Sequence, residues 1–421
     1  MTTFAVKFLG CKVSQADAML ARSRLLEAGH QEVPEEEAEL HVVNTCCITS
    51  EAEAKSRQSV RKSARSANRV IATGCAANLN ARQFDEIAPS VTALVGTADD
   101  VALEVAGTAG PGCIDVEHDV ALLQPISNSR TRGFVKVQDG CDCHCAYCII
   151  PKVRGAARSR PAAAILDEVR RRVEQGQPEM VMTGISVGGY RDPGSGLELG
   201  PLMRAVAGVD GVERVRLSSV EVIHVRDSLV EALAEEPRIC PHLHVPMQSG
   251  DDAVLAAMGR SYGSSGYLRA IERLRRRVPE VNVTTDAIVG FPTEDEAAFG
   301  RTLEAVRSAG ITKVHTFSFS PRPGTAADRY GDPVPPDEKK GRSRELRGLS
   351  EALGRRHRAA KLGREEDVLV DKVAETQASG YSRDYTRYHL PPGAAEAGSF
   401  VRVRAEELYA DGILGATLLP E

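Results

Sequence analysis

Leu40–Cys46, LHVVNTC, is a short, largely apolar run that stops on a cysteine. It is too short for an ordinary helix and rich in β-branched residues, so it reads as a buried strand. The arrangement occurs twice more, as FAVKFLGC ending on Cys11 and as RVIATGC ending on Cys75. Between the first two runs lies the amphipathic segment SQADAMLARSRLLEAG, with Gly29 as its stop. Strands that alternate with helices imply a parallel sheet covered by helices. The C-terminal ends of parallel strands lie along one edge, so Cys11, Cys46 and Cys75 are expected to converge there. Any one of them is most simply a buried core thiol. Three at equivalent places call for a shared role. Cys47 follows directly and, in extended chain, points to the opposite face.

The alternation returns from Phe134 to Thr325, with strands FVKVQ, MVMTG, RVRLSS, HLHVPM, VNVTTDAIVG and KVHTFSFS. Helical segments such as AAAILDEVRRRVEQG and GYLRAIERLRRRV lie between them. Six such units predict a partial (β/α)6 barrel whose chemistry sits at the strand C-terminal ends. A weakly patterned segment, roughly Gly107 to Arg132, reads as a linker. A basic helix is expected after Pro336. The runs DVLVDKVA, SFVRVRAEEL and GILGATLL, separated by glycines, then predict a small all-β barrel. The expected fold is therefore α/β: an N-terminal parallel α/β domain over 1–115, a central partial barrel over 127–358 and a C-terminal β-barrel over 362–421.

With 421 residues the chain can bury two or three separate cores. A net charge of −5 argues against a surface coated for nucleic acid, but the charge is segregated. PEEEAEL (34–40) is acidic, whereas KSRQSVRKSARSANR (55–69), RLRRR (273–277) and the stretch from Lys339 to Arg364 are basic. A solvated helix face explains any one of these; three together make a polyanionic partner the expectation. No apolar run approaches the roughly 18 to 20 residues of a membrane span, and the N-terminus lacks a signal-peptide core, so a cytoplasmic location without membrane contact is expected. In a reducing compartment ten cysteines are expected to be metal ligands or reactive thiols, not disulfides.

Four of those cysteines crowd into DGCDCHCAYCIIP (139–151): Cys141, Cys143, Cys145 and Cys148. Structural zinc commonly takes two separated pairs, and only Cys240 lies downstream. The bacterial-ferredoxin run is not met either. Without Cys143 the spacing is C-x3-C-x2-C, with Tyr147 before the last cysteine. That pattern resembles the signature of radical S-adenosylmethionine enzymes, in which three thiolates bind a 4Fe-4S cluster and one iron stays open to the cosubstrate. NTCCIT and ATGCAAN resemble the N-terminal domain of the methylthiotransferases, and VQDGCDCHCAYCIIPKVRG resembles their radical core. TGISVGGY, RLSSVE, HVPMQSGDDAVLAAMGRSY, TDAIVGFPTE and SFSPRPGTAA resemble later core motifs, and the C-terminal barrel resembles their RNA-binding TRAM domain. The resemblance covers nearly the whole chain. Cys47, Cys143 and Thr293 depart from it.

The resemblance implies two 4Fe-4S clusters. Cys141, Cys145 and Cys148 would hold the one that cleaves S-adenosylmethionine to a 5′-deoxyadenosyl radical, fed by a one-electron donor such as flavodoxin or ferredoxin. Cys11, Cys46 and Cys75 would hold an auxiliary cluster carrying the sulfur, methylated by a second S-adenosylmethionine. Cosubstrate contacts are expected from Tyr147, from Gly184, Gly188 and Gly189, and from Ser219, Glu221 and Gln248 beyond strand ends; core filling, a plain turn and solvated loops are their simpler readings. His242 and His244 share a strand face and are expected to make core hydrogen bonds. No side chain beyond the clusters is assigned catalysis.

The family modifies adenosine 37 of tRNA at C2 or an aspartate of a ribosomal protein. Arg355, Arg356 and Arg358 on the basic helix point to the tRNA anticodon loop. So does GYSRDYTRYHL (380–390), where Tyr381, Tyr385 and Tyr388 interleave with Arg383 and Arg387 as planes suited to stacking on splayed bases. Tyrosines that merely pack the barrel are the alternative. VQDGC, CIIPKVRG and GYSRDYTRY look most like the N6-threonylcarbamoyladenosine subgroup. The isopentenyladenosine and ribosomal-protein enzymes are alternatives, as is a non-enzymatic RNA-binding module with one structural metal.

Overall fold

The computed structural model describes residues 1–106, 131–393, 395–411 and 413–419. The expected linker lies almost wholly outside them, as does Cys113. The described residues form two compact units. One comprises 1–106 with Gln138–Cys143 and Cys148–Arg158; the other comprises 131–137, His144–Tyr147 and the chain from Ser159 onward.

The first unit is built on a parallel sheet of β1 (Thr3–Phe8), β2 (Gln31–Glu32), β3 (Leu40–Thr45), β4 (Arg69–Gly74) and β5 (Val91–Ala93). Their order is β2-β1-β3-β4-β5. Every residue of β3 is buried, which is why its sequence is a run and not an alternation. Phe4, Leu40, Val42 and Ile71 pack with Ala21, Leu25 and Val101 from helices Lys12–Glu27 and Ala98–Ala106. In this strand order the chain reverses direction between β1 and β3, and the crevice beyond the strand ends at such a switch point is where open α/β sheets bind ligands. β2 and β5, of two and three residues, are too short to leave a periodic signature.

β6 (Arg132–Asp139), β7 (Arg158–Ser159), β8 (Glu179–Gly184) and β9 (Arg214–Leu217) form a sheet ordered β7-β6-β8-β9, of which residues 132–137, Ser159, β8 and β9 belong to the second unit. A second sheet runs β10 (His242–His244), β11 (Asn282–Val289), β12 (Lys313–Ser318), all parallel. Parallel bridges Val215 to Ile239 and Ser219 to His244 carry the ladder from β9 to β10. The six expected strands therefore follow one another around a partial barrel that stays open beside β12. Val135, Met180, Val215, Leu243, Val283 and Val314 point outward into one large core with the surrounding helices. Residues alternating with them, among them Glu179, Arg216, His242 and Asp286, point the other way. Helix Pro336–Ala359 begins, as expected, on a proline, whose fixed φ suits the first helical turn.

The chain ends in a closed barrel of β13 (Glu365–Val373), β14 (Ala378–Ser382), β15 (Arg387–Leu390), β16 (Phe400–Leu408) and β17 (Leu414–Leu418), closing in the order β13-β14-β15-β17-β16. Val368, Val370, Tyr388, Leu390, Val403 and Leu414 fill it. Among the described residues no helix is long and apolar enough to cross a membrane.

Candidate metal centre

Cys11, Cys46 and Cys75 stand directly beyond β1, β3 and β4, three neighbouring strands, at the switch point of the first unit. Cys11 caps helix Lys12–Glu27, Cys46 leaves β3, and Cys75 opens helix Cys75–Leu79. Two glycines allow this crowding. At Gly10, φ +111°, a Cβ would lie 3.0 Å from the Cys46 Sγ; at Gly74, φ +89°, it would lie 2.2 Å from Asn44 Oδ1. The Cys46 N–H donates to Ser56 Oγ at 2.9 Å, which fixes the chain as it leaves β3. Burial pushes the Cys75 thiol up to about 11; Arg154 opposes the shift, and the nearby Cys11 and Cys46 add to it. A metal that takes thiolates would reverse that preference by displacing the protons.

Arg154, from the segment after the cysteine loop, enters this site. Its Nε donates to Cys75 Sγ at 3.1 Å, while Nη1 reaches Asp139 at 3.0 Å and Nη2 reaches Asp17 at 2.8 Å. The helix that carries it, Ile150–Arg154, is held by Asn78 Nδ2, which donates to the Val153 carbonyl at 3.0 Å.

The cysteine loop contributes residues to each unit. In the first, Cys141 is buried and donates its N–H to the Gly155 carbonyl at 3.1 Å. Its Sγ accepts the Cys143 N–H at 3.4 Å. In the second, Cys145 Sγ accepts from Arg260 Nη1 at 2.9 Å. The Arg260 side chain is 4% exposed, lies over the Tyr262 ring and pairs with Glu221 at 3.3 Å. The neighbouring Ala146 backbone is clamped by Met258 and Ala327, at 2.8 and 2.7 Å. Tyr147 packs beside Ala146, Val254, Met258 and Phe291, so its ring does fill the core of the loop.

Three of the polar strand-end residues gather in the second unit. Ser219 bridges to His244 and Glu221 reaches Arg260, while Gln248 pairs with Ala287 in the left-handed region at φ +68°. A non-glycine residue held there is a mark of strain, which accumulates at working sites. Gly184 ends β8. Gly188 and Gly189 are drawn elsewhere, into a pocket lined by Tyr190, Arg191, His224 and Arg226. A Cβ on Gly188 would meet that of His224 at 2.4 Å, so close packing is what its glycine serves. His244 makes the expected hydrogen bond, to Thr284 at 2.9 Å, and pairs with Asp286 at 3.1 Å, but on the strand face turned away from the large core.

The barrel residues have a second set of partners within the chain. Expected at an RNA surface, Tyr381, Arg383 and Tyr385 are half-buried and also contact the partial barrel. Tyr385 stacks on His242 at 5.0 Å and on Tyr381 at 4.9 Å, and Arg216 and Arg132 lie over their rings. Arg383 donates to the Pro237 and Ile239 carbonyls. In return Arg216 donates to the Ser382 and Arg383 carbonyls at 2.7 and 2.8 Å, and Arg214 to those of Tyr381 and Asp367. The turn between β14 and β15 is a plug. Arg387 remains exposed, as do Arg355 and Arg356, while Arg358 pairs with Glu351 at 3.2 Å.

Among the described residues no three His, Cys, Asp or Glu side chains close on one point as a single ion requires. The nine described cysteines are thiols outside any disulfide. An all-thiol set at a strand-end crevice, with one member receiving a guanidinium hydrogen bond, suits an iron–sulfur group, whose sulfurs are tuned by such donors. Arg154 and Arg260 went unnoticed in the sequence; their one signal is proximity to cysteine-bearing motifs, in PKVRG and MGRSY.

A partial parallel barrel preceded by a cysteine-lined α/β sheet belongs to a known class. Residues 135–306 match the family described as Radical SAM superfamily, and residues 3–96 match Uncharacterized protein family UPF0004. The chain is 36% identical to a threonylcarbamoyladenosine tRNA methylthiotransferase of Thermotoga maritima, covering 98% of this chain and 96% of that protein. It is 33% identical to a tRNA-2-methylthio-N(6)-dimethylallyladenosine synthase of Cereibacter sphaeroides, covering 98% of each. A structure of the radical S-adenosylmethionine methyltransferase TsrM from Kitasatospora setae superposes with a TM-score of 0.56 at 13% identity, covering 78% of this chain and 74% of that one, a likeness of fold alone. The chain belongs to the methylthiotransferase family of radical S-adenosylmethionine enzymes.

Proposed function

We propose that this protein methylthiolates C2 of N6-threonylcarbamoyladenosine at position 37 of tRNA. The carrying observation is the pair of three-cysteine sets, one at the switch point of the first unit and one in the loop after β6, in a chain similar over its whole length to tRNA methylthiotransferases. Cys11, Cys46 and Cys75 would hold an auxiliary 4Fe-4S cluster; Cys141, Cys145 and Cys148 would hold the radical-generating one. When bound, these groups and S-adenosylmethionine supply the radical, the sulfur and the methyl group. The chain's own side chains do the placing. Arg260 fixes Cys145 and ties it to Glu221, while Ser219 and Gln248 offer polar groups at neighbouring strand ends. Tyr147 shields the loop from water.

The tRNA surface would include Arg355 and Arg356, exposed on the last turns of helix Pro336–Ala359. A base beside an anticodon is already outside a duplex, so presenting it costs little unstacking. The three-part division at 1–115, 127–358 and 362–421 assigns sulfur storage, radical chemistry and RNA holding in turn. Cytoplasm and a flavodoxin- or ferredoxin-class donor complete the proposal.

Nucleoside mass spectrometry of tRNA from strains with and without the gene tests it. Disappearance of 2-methylthio-N6-threonylcarbamoyladenosine is the expected result. Disappearance of the isopentenyl counterpart would move the protein to the neighbouring activity, and an unchanged profile would exclude both.

A further inference from the structure

Arg154 has a position that none of the roles above explains. It lies beyond Cys148 on the same short segment, its side chain is 7% exposed, and all three of its nitrogens are engaged. Two of them serve carboxylates. Asp17 comes from the helix capped by Cys11, and Asp139 from just before Cys141. The third, Nε, is turned to the Cys75 Sγ at 3.1 Å. An arginine needed only to pin two carboxylates has no use for a sulfur partner; the carboxylates, conversely, fix a planar donor so that one N–H is aimed at that sulfur.

The next residue extends the pattern. Gly155 offers its carbonyl to the Cys141 N–H at 3.1 Å. Consecutive residues thus touch one cysteine of each set, Cys75 through a side chain and Cys141 through the main chain. Helix Ile150–Arg154 is anchored for this by Asn78, whose amide spans the Val153 carbonyl at 3.0 Å and the Gly96 N–H at 3.0 Å.

We propose that Arg154 is a positioning residue for the auxiliary iron–sulfur group: its Nε–H donates to the Cys75 thiolate and sets the reduction potential of the cluster held by Cys11, Cys46 and Cys75. The proposal rests on the two-cluster reading. A hydrogen bond and a positive charge at a ligating sulfur favour the reduced, more negative state, and such outer partners govern both potential and metal affinity.

The test uses the full chain with Cys141, Cys145 and Cys148 replaced by alanine, so that only the auxiliary site can load. Iron is counted after anaerobic reconstitution, and the midpoint potential is read by redox titration followed by electron paramagnetic resonance. Absence of iron from this parent would refute the auxiliary cluster itself. Given a loaded parent, R154Q is expected to shift the midpoint potential to more negative values, with R154K between the two. Iron retained at an unmoved potential in R154Q would overturn the proposal. If both variants lose iron, N78A decides, because it loosens the same helix without touching the thiol. Iron kept in N78A upholds the N–H to sulfur bond; iron lost there as well assigns the effect to helix packing and overturns it.

Discussion

Replacing Arg216 by methionine tests how the terminal barrel is held. Arg216 is 2% exposed and 2.8 Å from Glu179, itself 1% exposed, so the two form a buried ion pair. Methionine fills much of the same volume, so the loss is electrical. A buried pair broken on one side typically costs about 3–5 kcal/mol. The low end applies, because Arg132 still lies 3.9 Å from Glu179. The Ser382 and Arg383 carbonyls also lose their donors, at about 1 kcal/mol each. These terms share one side chain and do not simply add, so a destabilisation of about 4 kcal/mol is expected. Urea unfolding followed by circular dichroism measures it. Most of that loss is the stranded carboxylate, so E179Q in the R216M background should restore about half. A single-variant effect below about 1 kcal/mol, or a second mutation that deepens the loss, would refute the reasoning.

Cys143→Ala is expected to leave iron content at the parental level, whereas Cys145→Ala should remove about half of it; equal losses would assign Cys143 to the cluster. Asp384 is buried, which opposes ionisation, but His357, Lys361 and Ser382 together hold its carboxyl far below the usual range. A depressed carboxylate stabilises the fold above its ordinary pKa of about 3.9, and that contribution is lost as pH falls below it. D384N should therefore cost about 3 kcal/mol at neutral pH, with a gap to the parent that narrows below about pH 4 in pH-resolved denaturation; a gap independent of pH would contradict this. The double variant R355A/R356A should weaken tRNA binding and flatten the salt dependence of the association constant by about 2 in logarithmic slope, checked by filter binding across salt.

The sheet and its thiol edge were legible because a strand buried on both faces leaves an unbroken apolar run, and each run stopped on a cysteine. The arginines were not legible. A lone arginine in a chain with 53 basic residues carries no periodicity, and only the fold brings Arg154 to Cys75 or Arg260 to Cys145. The intramolecular contacts of GYSRDYTRYHL were not legible for a definite reason: a guanidinium over a tyrosine ring looks alike in sequence whether its partner is a base or another part of the same chain. Here Arg132 lies over the Tyr381 ring and Arg216 over the Tyr385 ring.

The plug between β14 and β15 is gripped mainly by its backbone. Arg214, Arg216 and Asn282 address the carbonyls of Asp367, Tyr381, Ser382, Arg383 and Asp384, groups that every amino acid presents. Side chains of the barrel complete the joint, since Tyr385 stacks on His242 and Arg383 donates to the Pro237 and Ile239 carbonyls. Exposed positions such as Arg387 and Arg402 are free to drift or to be redesigned without loosening the dock. A barrel transplanted from a relative therefore has to reproduce both the path of that turn and its Arg383 and Tyr385 side chains, which makes the turn a key cut for this socket.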